Sequence, residues 1–122
     1  MRTVAVVGAS THREKYGNKA VRAFARRGFV VVPIHPTADA VEGHRAYRSV
    51  LDVPGRIDMA TFYVPPAVGI QVIEEVAAKG IAEVWLNPGS ESDELVARAR
   101  SLGVEPVAAC SILGIGEIPS AF

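Results

Sequence analysis

The sequence predicts an α/β domain: a five-stranded parallel sheet with helices on both faces. Three observations carry this. Short Val-rich apolar runs alternate with amphipathic segments along the chain. The runs are apolar throughout, as strands covered on both sides are. Glycine or proline stands close after nearly every run, where a strand hands over to its connection.

The first run, 2–7, is a strand stopped by Gly8 in "VAVVGAST". A helix is predicted over 18–27, with Val21, Phe24 and Ala25 on one side and Arg22, Arg26 and Arg27 on a solvated one. Asn18 is its expected N-cap and Gly28 its C-cap. "FVVVPI", 29–34, is the second strand, and Pro33 suits its end better than its middle.

Residues 35–56 have no long helical period, and a structureless connection that long points to function. A helical turn is expected near Ser49–Val53 and an extended piece near Arg45–Tyr47. "IDMATFYV", 57–64, is the third strand. The clearest helix is 66–79, with Val68, Val72, Ile73, Val76 and Ala77 inward, Pro66 in its first turn and Gly80 at its end. "AEVWL", 82–86, is the fourth strand; Phe62 and Trp85 sit at strand spacing as core. A helix follows over 91–102, with Leu95, Val96, Ala99 and Leu102 inward and Ser90 with Asp93 as a capping box. The fifth strand is 104–108, and the Gly- and Pro-rich tail from Cys110 to Phe122 is expected to be mostly irregular.

Length and composition narrow the function. The 122 residues suit one domain spanning 1–122, and 49% apolar content is ordinary for a soluble protein. Thirteen Lys and Arg balance thirteen Asp and Glu, so charge gives no reason to expect nucleic acid or an anionic membrane as partner. No signal-peptide plan or membrane-length apolar run is present. The single cysteine, Cys110, allows no intrachain disulfide and suits a reducing cytoplasm, the expected location.

Ligands of open parallel sheets bind beyond the carboxyl ends of the strands. The exits here are Gly8-Ala9-Ser10, Pro33-Ile34-His35-Pro36, Val64-Pro65-Pro66 and Asn87-Pro88-Gly89. A glycine after the first strand lets backbone N–H groups approach a phosphate, and Ser10 and Thr11 add hydroxyls. Arg13 and Lys15 follow closely and could neutralise a diphosphate. The dinucleotide fingerprint G-x-G-x-x-G is absent, because Ser10 and Arg13 occupy its second and third glycine positions. His35 and Pro36 stand where an acidic residue would hold a ribose diol. The P-loop pattern is missing too. His12, His35 and His44 lack metal-ligand spacing, and no catalytic set stands out. A surface or packing role is expected for His35, and an inert, buried one for Cys110.

These residues resemble the CoA-binding domain family, small proteins similar to the N-terminal domain of the succinyl-CoA synthetase alpha subunit. The resemblance runs through "VAVVGAS", "KYGN", "VVVPIHP", "GHRAYRSVLDVP", "FYVPP", "EEVAAKGIAEVWLNPG" and the late Cys110. It implies a Rossmann-like domain that binds coenzyme A, or an acyl-CoA, at the carboxyl edge of the sheet. In that reading Gly8, Ala9, Ser10, Lys15, Gly17 and Asn18 hold the phosphates, with Thr11 and Arg13 beside them. Ile34, His35, Pro36, Thr37, Val64 and Pro65 flank the adenosine, and Asn87, Pro88 and Gly89 lie along the pantetheine arm. Two positions depart from the family pattern. Thr37 stands where relatives often carry Lys or Arg, a charge that Arg13, Arg45 or Arg48 would have to supply, and Ala109 replaces an Arg before the cysteine.

The expected function is a non-catalytic carrier, sensor or partner module for CoA, working with an acyl-CoA enzyme or as a homo-oligomer. An NAD(P)-dependent enzyme or redox sensor is the alternative; it would need an acid or phosphate clamp after the second strand, and only Asp39 and Glu42 are near. A third reading makes "GIGEIPSAF" a docking segment for a partner or a second copy.

Overall fold

A computed structural model describes residues 1–122. Its elements are β1 (Thr3–Val7), α1 (Tyr16–Arg26), β2 (Val30–Ile34), β3 (Ala40–Val41), β4 (His44–Arg45), β5 (Met59–Phe62), α2 (Pro66–Lys79), β6 (Glu83–Leu86), α3 (Asp93–Ser101), β7 (Glu105–Ala108) and α4 (Ser111–Gly114). Single 3-10 turns occupy Val50–Asp52 and Pro119–Ala121.

Five strands form one parallel sheet in the order β2-β1-β5-β6-β7. Successive strand residues point to opposite faces, and both faces are dry. Ala5, Val7, Phe62 and Leu86 pack against Ile73 and Val76 of α2 and Leu95 and Ala99 of α3. Val4, Val6 and Met59 pack against Val21 and Phe24 of α1 and Ile112 of α4. The result is the three-layer α/β domain expected. Phe24 and Phe62 are fully buried, one in each of the two cores that flank the sheet, each contributing about 1.5–3 kcal/mol of apolar burial.

Several details differ from expectation, each for a local reason. Pro33 lies inside β2, opposite Val6. It is tolerated because β2 is an edge strand: the Pro33 carbonyl faces outward, where it accepts from the Tyr47 N–H at 3.0 Å, and its missing N–H would face the same way. Helix α1 begins at Tyr16, with Lys15 as N-cap and no side-chain cap, so Asn18 is not the cap; it is buried and bonded elsewhere. Ser92, not Ser90, caps α3 by accepting from the Leu95 N–H at 3.1 Å. Val68 is 45% exposed, because Gly69 takes the place against Phe62 and Leu95.

The 35–56 connection holds the expected turn at Val50–Asp52 and also a hairpin, β3–β4. Its two-residue turn, Glu42-Gly43, has both φ angles positive, +50° and +79°, the twist that tight hairpins require. The tail is more ordered than expected, with two short helical turns and specific contacts to the body of the domain. Helix α4 seats Ile112 in the core, Arg27 donates to Glu117 at 2.9 Å and to the Gly116 carbonyl at 2.7 Å, and Phe122 lies under Arg22 and Arg26. Arg26 and Arg27 are therefore ion-paired rather than merely solvated, and "GIGEIPSAF" packs on α1 of its own chain.

Candidate functional site

The strand order reverses between β1 and β5, which opens a crevice at their carboxyl ends. Gly8 leaves β1 there at φ +87°, and a Cβ on it would lie 2.7 Å from the Tyr63 carbonyl oxygen. A Cβ on Gly17 would be driven into the Gly8 carbonyl. The two glycines thus let the first turn of α1 sit directly on the strand exit. The backbone N–H groups of Ala9, Ser10, Tyr16 and Gly17 have no acceptor within the chain. Uncapped amides at the start of an 11-residue helix form a cradle for an anion.

A buried network fixes the cradle's loop. Asn18 donates to the Ser10 carbonyl at 2.9 Å and to Glu42 at 3.1 Å, and accepts from Arg22 Nε at 2.8 Å. Arg22 also donates to the Arg13 carbonyl at 2.7 Å. Arg13 pairs with Glu42 rather than facing the cradle. The Asn18 hydrogen bond, and behind it the Arg13 guanidinium, holds the Glu42 carboxyl below its ordinary range. Lys15, by contrast, lines the cradle and makes no ion pair.

Three grooves run along the rim and share walls. The central one, about 450 Å³, is the cradle: Gly8, Ser10, Lys15 and Gly17 line it on one side, Val64, Pro65, Pro88 and Gly89 on the other. Beyond Gly8 and Val64 lies a groove of about 280 Å³, lined by Ile34, His35, Pro36 and Arg48. His35 Nδ1 accepts from the N–H groups of Thr37 and Ala38 at 3.1 and 2.9 Å, which shapes the turn. Arg48 is the arginine near Thr37 that remains unpaired: Arg13 is held by Glu42, and Arg45 lies 5.0 Å over the Tyr47 ring. On the other side, sharing Tyr16, Tyr63 and Pro88, is a cavity of about 350 Å³ reaching Cys110 and Leu113.

Asn87 lies at this last cavity with its amide committed inward. It donates to Thr61 Oγ1 at 2.7 Å and the Phe62 carbonyl at 2.8 Å, and accepts from the Ser111 N–H at 2.8 Å. Ser111 Oγ in turn meets Thr61 Oγ1 and the Tyr63 hydroxyl, at 2.7 and 3.0 Å. This network ties α4 to the strand exits, and burial pushes the Tyr63 hydroxyl up to about 12.

Most of the sequence candidates therefore gather at one rim, with five exceptions. Arg13 is turned to Glu42 and Asn18 is buried behind the loop, so neither lines a groove. Thr11 and Thr37 line none of the grooves, and the Ala9 side chain is buried, leaving only its amide at the cradle. Cys110 is half-buried at the cavity wall rather than buried. Sequence reasoning missed Tyr16, Tyr63 and Ser90 as lining residues, although each adjoins a strand exit or glycine already singled out. Leu113 and Pro119 were missed because the tail shows no period.

Fold and rim together define a class: a doubly wound α/β domain whose switch point offers unpaired amides and a free lysine to an anion. The chain belongs to the CoA binding domain family, whose model matches residues 2–115. It is 38% identical over 95 residues to the ADP-forming acetate–CoA ligase II of Archaeoglobus fulgidus, covering 76% of this chain and 14% of that protein. A conserved hypothetical protein from Pyrococcus furiosus has the same fold, with TM-score 0.87 and 38% identity over 93% of this chain and 99% of its own. The dinucleotide forming acetyl-coenzyme A synthetase 1 of Ca. Korarchaeum cryptofilum matches at TM-score 0.77 and 33% identity, over 88% of this chain and 26% of its own. The chain spans less than a fifth of the length of the ADP-forming ligases it matches.

Proposed function

We propose that the protein binds coenzyme A, or an acyl-CoA, along this rim as a non-catalytic carrier, sensor or partner module of an acyl-CoA enzyme. One observation carries the reading: three grooves in series, in an order that suits the parts of the ligand. The 280 Å³ groove with Arg48 suits the phosphorylated adenosine, the open amides and Lys15 suit the diphosphate, and the last cavity suits the pantetheine end. Membership of the CoA binding domain family and similarity to an acetate–CoA ligase support the same assignment. The NAD(P) alternative draws no such support, since Glu42 is occupied by Asn18 and Arg13.

A cytoplasmic setting belongs to the same proposal and draws on the free thiol of Cys110. No helix is long and apolar enough to cross a membrane.

Calorimetric titration with CoA and with NAD(H) tests the reading. CoA should bind and NAD(H) should not displace it; no heat above a buffer blank at millimolar CoA would defeat the proposal.

A further inference from the structure

The 350 Å³ cavity beside the cradle differs chemically from the rest of the rim. Tyr16, Tyr63, Pro88, Leu113 and Pro119 supply much of its wall, with Cys110 among them. No charged side chain lines it, whereas Lys15 lines the central groove and Arg48 the far one. Two of its polar groups are already engaged: the Asn87 amide makes three internal hydrogen bonds, and the Tyr63 hydroxyl meets Ser111, which leaves only the Tyr16 hydroxyl and the Cys110 thiol. The Tyr63 hydroxyl also stays neutral at physiological pH.

We infer that this cavity takes the acyl group of an uncharged acyl-CoA thioester and disfavours acyl groups that end in a carboxylate. The inference rests on the CoA reading above and adds the class of acyl group to it. A carboxylate drawn into the cavity would lose its water and find no cation in exchange, only the Tyr16 hydroxyl and the weak Cys110 thiol as donors. An aliphatic chain meets the opposite balance, since each methylene buried tightens binding about fourfold. The volume exceeds what a thiol needs, so there is room for several carbons beyond the sulfur. Leu113, 58% exposed at the rim, is the side chain best placed to tune this preference without disturbing the core.

The test compares affinities for CoA, butyryl-CoA and succinyl-CoA in the native chain and in Leu113→Arg. In the native chain butyryl-CoA should bind about tenfold more tightly than succinyl-CoA, and succinyl-CoA no more tightly than CoA. Leu113→Arg supplies the missing cation and should reduce the butyryl-to-succinyl ratio at least about fivefold. CoA binding with equal affinities for the two thioesters overturns the inference alone. A ratio that Leu113→Arg leaves unchanged overturns the placement of the acyl group in this cavity. If neither CoA nor either thioester binds, the inference falls together with the reading it rests on.

Discussion

Gly17, in the first turn of α1, lies so close to the Gly8 carbonyl that no side chain can stand between them. This contact brings the open amides of a helix start onto the end of a central strand. Two effects of opposite sign meet at Gly17. Alanine would favour the helix by about 1 kcal/mol, but its Cβ would overlap backbone that cannot step aside, a loss of about 3 kcal/mol. Gly17→Ala should therefore destabilise the fold by about 2 kcal/mol in urea unfolding. Gly69→Ala is the matched comparison. Its Cβ would meet only the Leu95 and Phe62 side chains, at 3.0 and 3.3 Å, and it should cost less. A stabilised Gly17→Ala would show that the close approach is not real.

Ser10 lines the cradle, whereas its neighbour Thr11 is exposed and lines none of the grooves. If the cradle holds a CoA diphosphate as proposed, Ser10→Glu sets a carboxylate against it and should weaken CoA binding at least about a hundredfold. Thr11→Glu should change it less than about threefold, because its charge stays in water. Similar losses in both variants, read by calorimetry, would point to bulk charge rather than a shaped site.

Arg48 is the unpaired cation of the 280 Å³ groove that the CoA proposal gives to the adenosine. Arg48→Ala should weaken CoA about five- to tenfold, the effect of one exposed charge-assisted contact. The same variant should bind CoA lacking the ribose 3′-phosphate almost as the native chain does. An equal loss for both ligands would mean that Arg48 touches some other part of the molecule.

Tyr63 gives the molecule a pH signature. Its hydroxyl titrates near 12 in the folded chain, against 10 when exposed, because burial disfavours the phenolate. The folded state therefore keeps a proton that the unfolded chain releases. The stability that this supplies is complete below pH 10 and falls as pH rises from 10 to 12. The loss is about 2–3 kcal/mol. Tyr63→Phe should remove that part of the alkaline slope in denaturant titrations. An unchanged slope would show that Tyr63 is not buried as described.

Periodicity made the main elements legible: Ile73 and Val76 inward on α2, Val4 and Val6 alternating with Ala5 and Val7 on β1. The rim was legible because Gly8 and the prolines mark strand exits whatever the ligand. What escaped has a common cause, which is dependence on partners distant in sequence. Asn18 looks like a helix cap until Ser10 and Glu42 are seen beside it. Arg13 looks free until the β3–β4 hairpin delivers Glu42 to it. That hairpin is too short to show alternation, and its turn sits at Glu42-Gly43 rather than at the commoner Asn-Gly or Asp-Gly pair. Helix α4 spans only four residues and is held by Asn87, so no local pattern announces it.

The most direct test of the central claim is to follow backbone amide resonances while CoA is added. Shifts should concentrate on Ala9, Ser10, Tyr16 and Gly17, with smaller ones at His35 and Gly89, and should saturate together at one affinity. Shifts absent from the Gly8–Gly17 loop at saturating CoA, or confined to the opposite edge of the sheet, would contradict it.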